Sequence, residues 1–160
     1  MKLMSFDQSM SKSGWALYDT DSKTLLDYGL IENPEYKNEV REDAIHIMVS
    51  SLLAIAKEKL AEVFSYEDIY LDMTRNKSNI QLPMLAGALV EGFKSYNDAL
   101  IFPVAAMQWK AFCGIKGRKR EEQKKNTMNF VQDVFGIETN EDTCDAIAQG
   151  WAVVNTIRIK

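Results

Sequence analysis

Glu141-Asp142-Thr143-Cys144-Asp145-Ala146-Ile147-Ala148 sets two aspartates three residues apart and follows them with small and aliphatic side chains. The apolar spacing around this stretch predicts a helix from near Asn140 to about Thr156. Residues at i and i+3 share one helix face, with Cβ atoms roughly 5–6 Å apart. Two like charges that close repel, so Asp142 and Asp145 cost stability unless a cation sits between or beside them. Their hard oxygens suit Mg2+ or Mn2+. Two plainer readings stand beside this one: compensation of the helix dipole and N-capping.

Working outward, Lys2 to Phe6 is a short apolar strand ending at Asp7. A polar turn leads to Gly14–Tyr18, and a second turn leads to Thr24–Ile31. Strand length and turn chemistry make these three an antiparallel meander. Apolar residues from about Glu39 to Phe64 follow helical spacing, and Tyr66–Asp72 reads as a fourth strand. A helix is expected from about Ile80 to Tyr96, with Pro83 tolerated only in its first turn. Ala99–Ala105 reads as a fifth strand and Met107–Phe112 as a short helical turn. A further helix ends near Phe135, stopped by Gly136. The order predicts an α/β fold in a single domain spanning 1–160, a mixed five-stranded sheet flanked by helices.

Composition narrows the function. The 160 residues include 46% hydrophobic and 26% charged residues, as in ordinary globular domains. Two cysteines and one histidine (His46) cannot build a Cys/His zinc site of the usual kind. Scattered thiols fit a reducing cytosol, no signal peptide or membrane span is expected, and cytoplasmic residence follows. A net charge of −4 argues weakly against a general nucleic-acid binder. Phosphates respond to local patches, however, and Lys116–Lys125 carries six basic residues against two glutamates. The bland reading of that run is a solvated helix start with pairs such as Glu121 with Lys125.

Four acids stand out by position: Asp7 and Asp72 at strand ends, and Asp142 and Asp145 on the last helix. A strand-end aspartate alone also reads as a turn former. The element order changes the weighting, because it brings the first and fourth strands side by side with the last helix against them. Here a family resemblance enters. Leu3-Met4-Ser5-Phe6-Asp7 with Gly14-Trp15-Ala16 resembles the first hairpin of RuvC-type Holliday junction resolvases, phage branch, of the RNase H-like superfamily. Asp142 to Ala148 resembles their closing Asp-x-x-Asp-Ala motif, and Ile69-Tyr70-Leu71-Asp72 takes the place of their central acidic strand. Leu85 to Leu89, Trp109-Lys110 and Gly114-Ile115 resemble the segments between. Three departures go with it: Asp72 where the family has Glu, Gln8-Ser9 where it often has Pro-Gly, and Arg75 where bacterial members carry an aromatic.

The resemblance implies a divalent-metal-dependent endonuclease (Holliday junction resolvase) that cuts four-way DNA junctions, with forks and flaps as related branched substrates. Asp7, Asp72, Asp142 and Asp145 would be catalytic and would hold Mg2+, with Mn2+ able to substitute. Cleavage in line would leave a 5′ phosphate. Lys116, Arg118, Lys119, Arg120, Lys124 and Lys125 would grip the DNA backbone, with Arg75 and Lys77 extending the path on the other side. A homodimer is implied, since symmetric cutting needs two sites related by a twofold axis; Ala86, Gly87 and Ala88 permit close helix approach, or pack on the chain's own sheet. The competing reading is a non-catalytic branched-DNA-binding module that keeps the fold, with Asp72 marking lost chemistry. An actin-like ATPase half ranks low, because its glycine-rich phosphate loops are absent.

Overall fold

The computed structural model describes residues 1–69 and 80–157. Its elements, in chain order, are β1 (Lys2–Asp7), β2 (Lys12–Asp19), β3 (Leu25–Glu32), α1 (Arg41–Lys59), β4 (Val63–Asp68), α2 (Gln81–Asn97), β5 (Leu100–Ala105), α3 (Ala106–Phe112), α4 (Arg120–Phe135) and α5 (Glu141–Thr156). The sheet runs β3-β2-β1-β4-β5. β1–β2 and β2–β3 pair antiparallel, whereas β1–β4 and β4–β5 pair parallel. This is the expected mixed sheet with its meander first.

Side chains alternate across the sheet and build two cores. Met4, Phe6 and Phe64 face α1 and α2, where Phe93 stacks on Phe64 with ring centroids 4.0 Å apart. Leu3, Ala16, Tyr18 and Val63 face α3, α4 and α5, packing with Trp109, Val131 and Ile147. Pro83 falls in the first turn of α2, and Gly136 (φ 69°) ends α4, both where sequence placed them.

The fourth strand corrects the sequence reading. α1 stops at Lys59, because Leu60 takes a left-handed conformation (φ 57°) and its N–H closes onto the Ala56 and Lys57 carbonyls. The N–H of Ala61 also returns to Ala56, at 3.0 Å, which completes the terminating turn. Val63 and Phe64, which fit helical spacing, therefore belong to β4, one buried in each core. The strand ends at Asp68 rather than Asp72. Asp72, Arg75 and Lys77 lie outside the described residues.

α5 presses directly on the sheet. A Cβ at Gly14 would lie 2.0 Å from the backbone oxygen of Asp142, and one at Gly150 would lie 2.6 Å from the Tyr18 ring. The buried Tyr18 hydroxyl donates to the Ile147 carbonyl at 2.7 Å, and Thr143 Oγ1 donates to the Gly29 carbonyl at 3.1 Å. Asn140 caps the helix by accepting from the Thr143 N–H. Gly14→Ala should therefore force the helix end off β2. Chemical denaturation should show a loss of roughly 2–4 kcal/mol, well above the cost of alanine at an open strand position.

Candidate active site

The register Phe6↔Tyr66 carries Asp7 and Glu67 past the last paired residues of two neighbouring parallel strands. Period-2 alternation turns both toward α5, on the side where Leu3 and Val63 are buried. With Asn140 as the cap, Asp142 and Asp145 are free of that duty. The result is a cavity of about 250 Å³ lined by Asp7, Glu67, Asp142, Asp145, Lys110, Arg120, Lys124 and Thr127. Three of the four acids read from sequence are brought together. The fourth carboxylate is Glu67, and it stands in the central strand where Asp72 was expected.

The electrostatics are those of crowded like charges. Burial holds the Asp7 carboxyl well above its ordinary range, with Asp145, Glu67 and Asp142 adding to the rise and Lys110 opposing it. Asp145 is pushed up to about 6, chiefly by burial; Lys110 and Lys124 pull it down, while Glu67 and Asp142 push it up. Asp142 is also raised by burial, and Lys124, Lys12 and Arg120 counter this. Among the described residues, the side chains of Asp7, Asp142 and Asp145 have no hydrogen-bond or ion-pair partner. Nor is any group of three or more His, Cys, Asp or Glu side chains there gathered closely enough to hold a metal ion as placed. The carboxylates ring a common space without meeting at one point.

Glu67 is the exception in being tied down. Its Oε2 accepts from the Trp109 indole N–H at 3.2 Å. Its backbone N–H and carbonyl are both engaged by the Gln8 side-chain amide, at 3.2 and 2.7 Å.

The cations come from α3 and α4. Lys110 is held by Gln123 at 3.2 Å and lies over the Trp109 ring. Arg120, Lys124 and Thr127 share one face of α4 and line the cavity. Lys124 pairs with Glu141, so the anticipated partnership of Glu121 with Lys125 is not the one formed among the described residues. Lys116, Arg118, Lys119 and Lys125 are exposed and lie outside the cavity lining. Sequence reasoning missed Glu67 and Lys110. A buried central parallel strand reads as a continuous apolar run, and Val63-Phe64 before Glu67 is such a signal. Lys110 sits beside Trp109 with no charge pattern to mark it. His46 is exposed on α1.

The sheet order and its flanking helices are those of the RNase H-like fold. No family model and no curated protein matches the chain. Among solved structures, Thermus thermophilus RuvC in complex with Holliday junction substrate superposes with a TM-score of 0.74 at 13% identity, over 95% of this chain and 92% of that one. A second Thermus thermophilus RuvC structure gives a TM-score of 0.72 at 14% identity, with the same shares covered. The Fowlpox virus resolvase in complex with substrate Holliday junction DNA gives 0.64 at 14% identity, over 98% of each chain. At such identities the likeness is one of fold.

A raised folded-state pKa on an acid means that the folded protein binds the proton more tightly than the unfolded chain. Stability therefore falls as pH climbs from the ordinary aspartate range to about 6 at Asp145, and the whole penalty is present above that. In EDTA at pH 8, Asp145→Asn should stabilise the protein by roughly 1–2 kcal/mol, a figure discounted for the solvent that reaches the group. At pH 4 the gain should vanish. Thermal melts at the two pH values measure the difference.

Proposed function

We propose that this chain is a structure-selective endonuclease that hydrolyses phosphodiesters in Holliday junctions and other branched DNA, using divalent metal ions. The observation that carries the reading is the meeting of Asp7, Glu67, Asp142 and Asp145 around one cavity, with Lys110, Arg120 and Lys124 on its wall. Two solved structures of the same fold were determined with Holliday junction DNA.

The donor set fits Mg2+ or Mn2+, because it offers hard carboxylate oxygens, and three of the four carboxylates lack partners among the described residues. Asp7, Glu67, Asp142 and Asp145 would be the ligands, drawn inward from the spread that mutual repulsion favours. When bound, Mg2+ lowers the pKa of a coordinated water and withdraws charge from the phosphate. The protein's own contribution is placement. β1 and β4 hold two carboxylates in register, and α5 delivers two more from one face. Lys110 offsets charge on Asp7 and Asp145. Arg120 and Lys124 stand where a phosphate approaching the acids would meet positive charge.

The exposed Lys116, Arg118, Lys119 and Lys125 extend that positive path along the surface leading into α4. Local charge of this kind overrides a net −4 for a polyanion within a Debye length. The alternative of an inert binding module drew its support from Asp72 replacing a glutamate. Glu67, lining the cavity with Asp7, supports the catalytic reading instead. A homodimer would supply two cuts related by a twofold axis. Gly87 on α2 meets nothing within 4 Å of an added Cβ, which leaves room for a partner helix there.

Two outcomes test the reading. With Mg2+ or Mn2+, the protein should place paired symmetric nicks in a synthetic four-way junction and leave linear duplex intact. Asp7→Asn should bind the junction with wild-type affinity and lose cleavage by at least ~100-fold; normal cutting by the Asp7, Asp142 and Asp145 asparagine variants would refute the assigned centre. Separately, Arg120→Ala with Lys124→Ala should weaken junction binding and flatten its logarithmic salt dependence by roughly 1–2. An unchanged salt slope would place the DNA elsewhere.

A further inference from the structure

We propose that Gln8 and Trp109 are positioning residues for Glu67, fixing its backbone and its carboxylate separately; this rests on the metal-site reading above. The paired register of β1 and β4 stops at Phe6↔Tyr66. Beyond it Asp7 still pairs with Gly14 and Glu67 with Val104, but no backbone pairing joins the two acids to each other. Gln8, the residue after Asp7, supplies the missing pair from its side chain. Its Oε1 accepts from the Glu67 N–H at 3.2 Å, and its Nε2 donates to the Glu67 carbonyl at 2.7 Å. A side-chain amide carries a donor and an acceptor together, so it can replace both halves of a peptide partner. Gln8 is only 6% exposed, which shields these bonds from water.

The second hold acts on the carboxylate. The Trp109 Nε1–H donates to Glu67 Oε2, which leaves Oε1 without a hydrogen-bond partner among the described residues. Trp109 is 1% exposed and packed in the core beneath α5, so its ring has little freedom to move. Glu67 is thus fixed at both ends before any cation arrives, whereas Asp7, Asp142 and Asp145 have no such partner among the described residues. Order in one ligand lowers the entropy lost when the others close on a cation. The Gln8 clamp also gives a physical role to the residue standing where similar hairpins often have proline, which has no side-chain amide to make it.

The test is Mn2+ binding, read from the free-ion EPR signal in the absence of DNA. The proteins are the wild type, Gln8→Met, Trp109→Phe and Glu67→Gln. Methionine keeps the length of Gln8 without its amide, and phenylalanine keeps an aromatic ring without the N–H. Both positioning variants should weaken Mn2+ roughly 10-fold or more. The Mn2+ concentration for half-maximal junction cleavage should rise in parallel. Junction affinity in EDTA should stay within about twofold of wild type, and kcat should fall at unchanged KM for the junction. Wild-type Mn2+ affinity in both positioning variants, alongside weakened Glu67→Gln, overturns the proposal and leaves the metal site standing. Wild-type affinity in Glu67→Gln overturns the metal-site reading itself. If Trp109→Phe fails to fold, Gln8→Met, at the rim of the sheet, decides the matter alone.

Discussion

A helix end seated on bare backbone governs this molecule. Gly14 has no side chain, so the first turn of α5 comes to rest against β2, closer than any Cβ would allow. Gly150 does the same one layer deeper against Tyr18, and the Tyr18 hydroxyl pins the Ile147 carbonyl between them. This seating sets how far Asp142 and Asp145 reach toward the sheet's end. The parallel pairing of β1 with β4 sets what they meet there, Asp7 and Glu67. Apolar packing on both faces of the sheet makes the platform stiff enough to hold four acids together against their repulsion.

That repulsion is a cost accepted at one place. Elsewhere the described residues behave like an ordinary globular protein, with paired surface charges and left-handed residues closing the C-termini of α1, α2 and α4. At the cavity Asp7, Asp142 and Asp145 are raised above their usual range by burial, and the neighbouring cations only partly relieve them. Lys110, Arg120 and Lys124 come from two helices on one side, while the acids come from two strands and a third helix. A polyanion approaching from the α4 side meets positive charge before it meets the carboxylates. The same arrangement reconciles a net charge of −4 with the proposed action on DNA.

Much of this was legible from the residues. Alternating strands and turn chemistry revealed the meander. The paired aspartates, followed by small side chains, identified α5 and its face. The fourth strand was misplaced for a specific reason. Leu60, Val63 and Phe64 continue the spacing of α1, and nothing marks the break, because the left-handed residue that ends the helix is Leu60 rather than a glycine. Extending the helix pushed the strand toward Asp72 and hid Glu67. The holds on Glu67 were illegible for a different reason: Gln8 and Trp109 reach it across 59 and 42 residues of sequence, and only the fold brings them together.

The proposed function requires that these four carboxylates form one divalent-metal centre. Anomalous scattering from a crystal soaked in Mn2+ tests it most directly. Manganese density should lie within coordinating distance of Asp7, Glu67, Asp142 and Asp145, with the carboxylates drawn closer than they stand here. Manganese bound only at other surfaces, with those side chains unmoved, would contradict it.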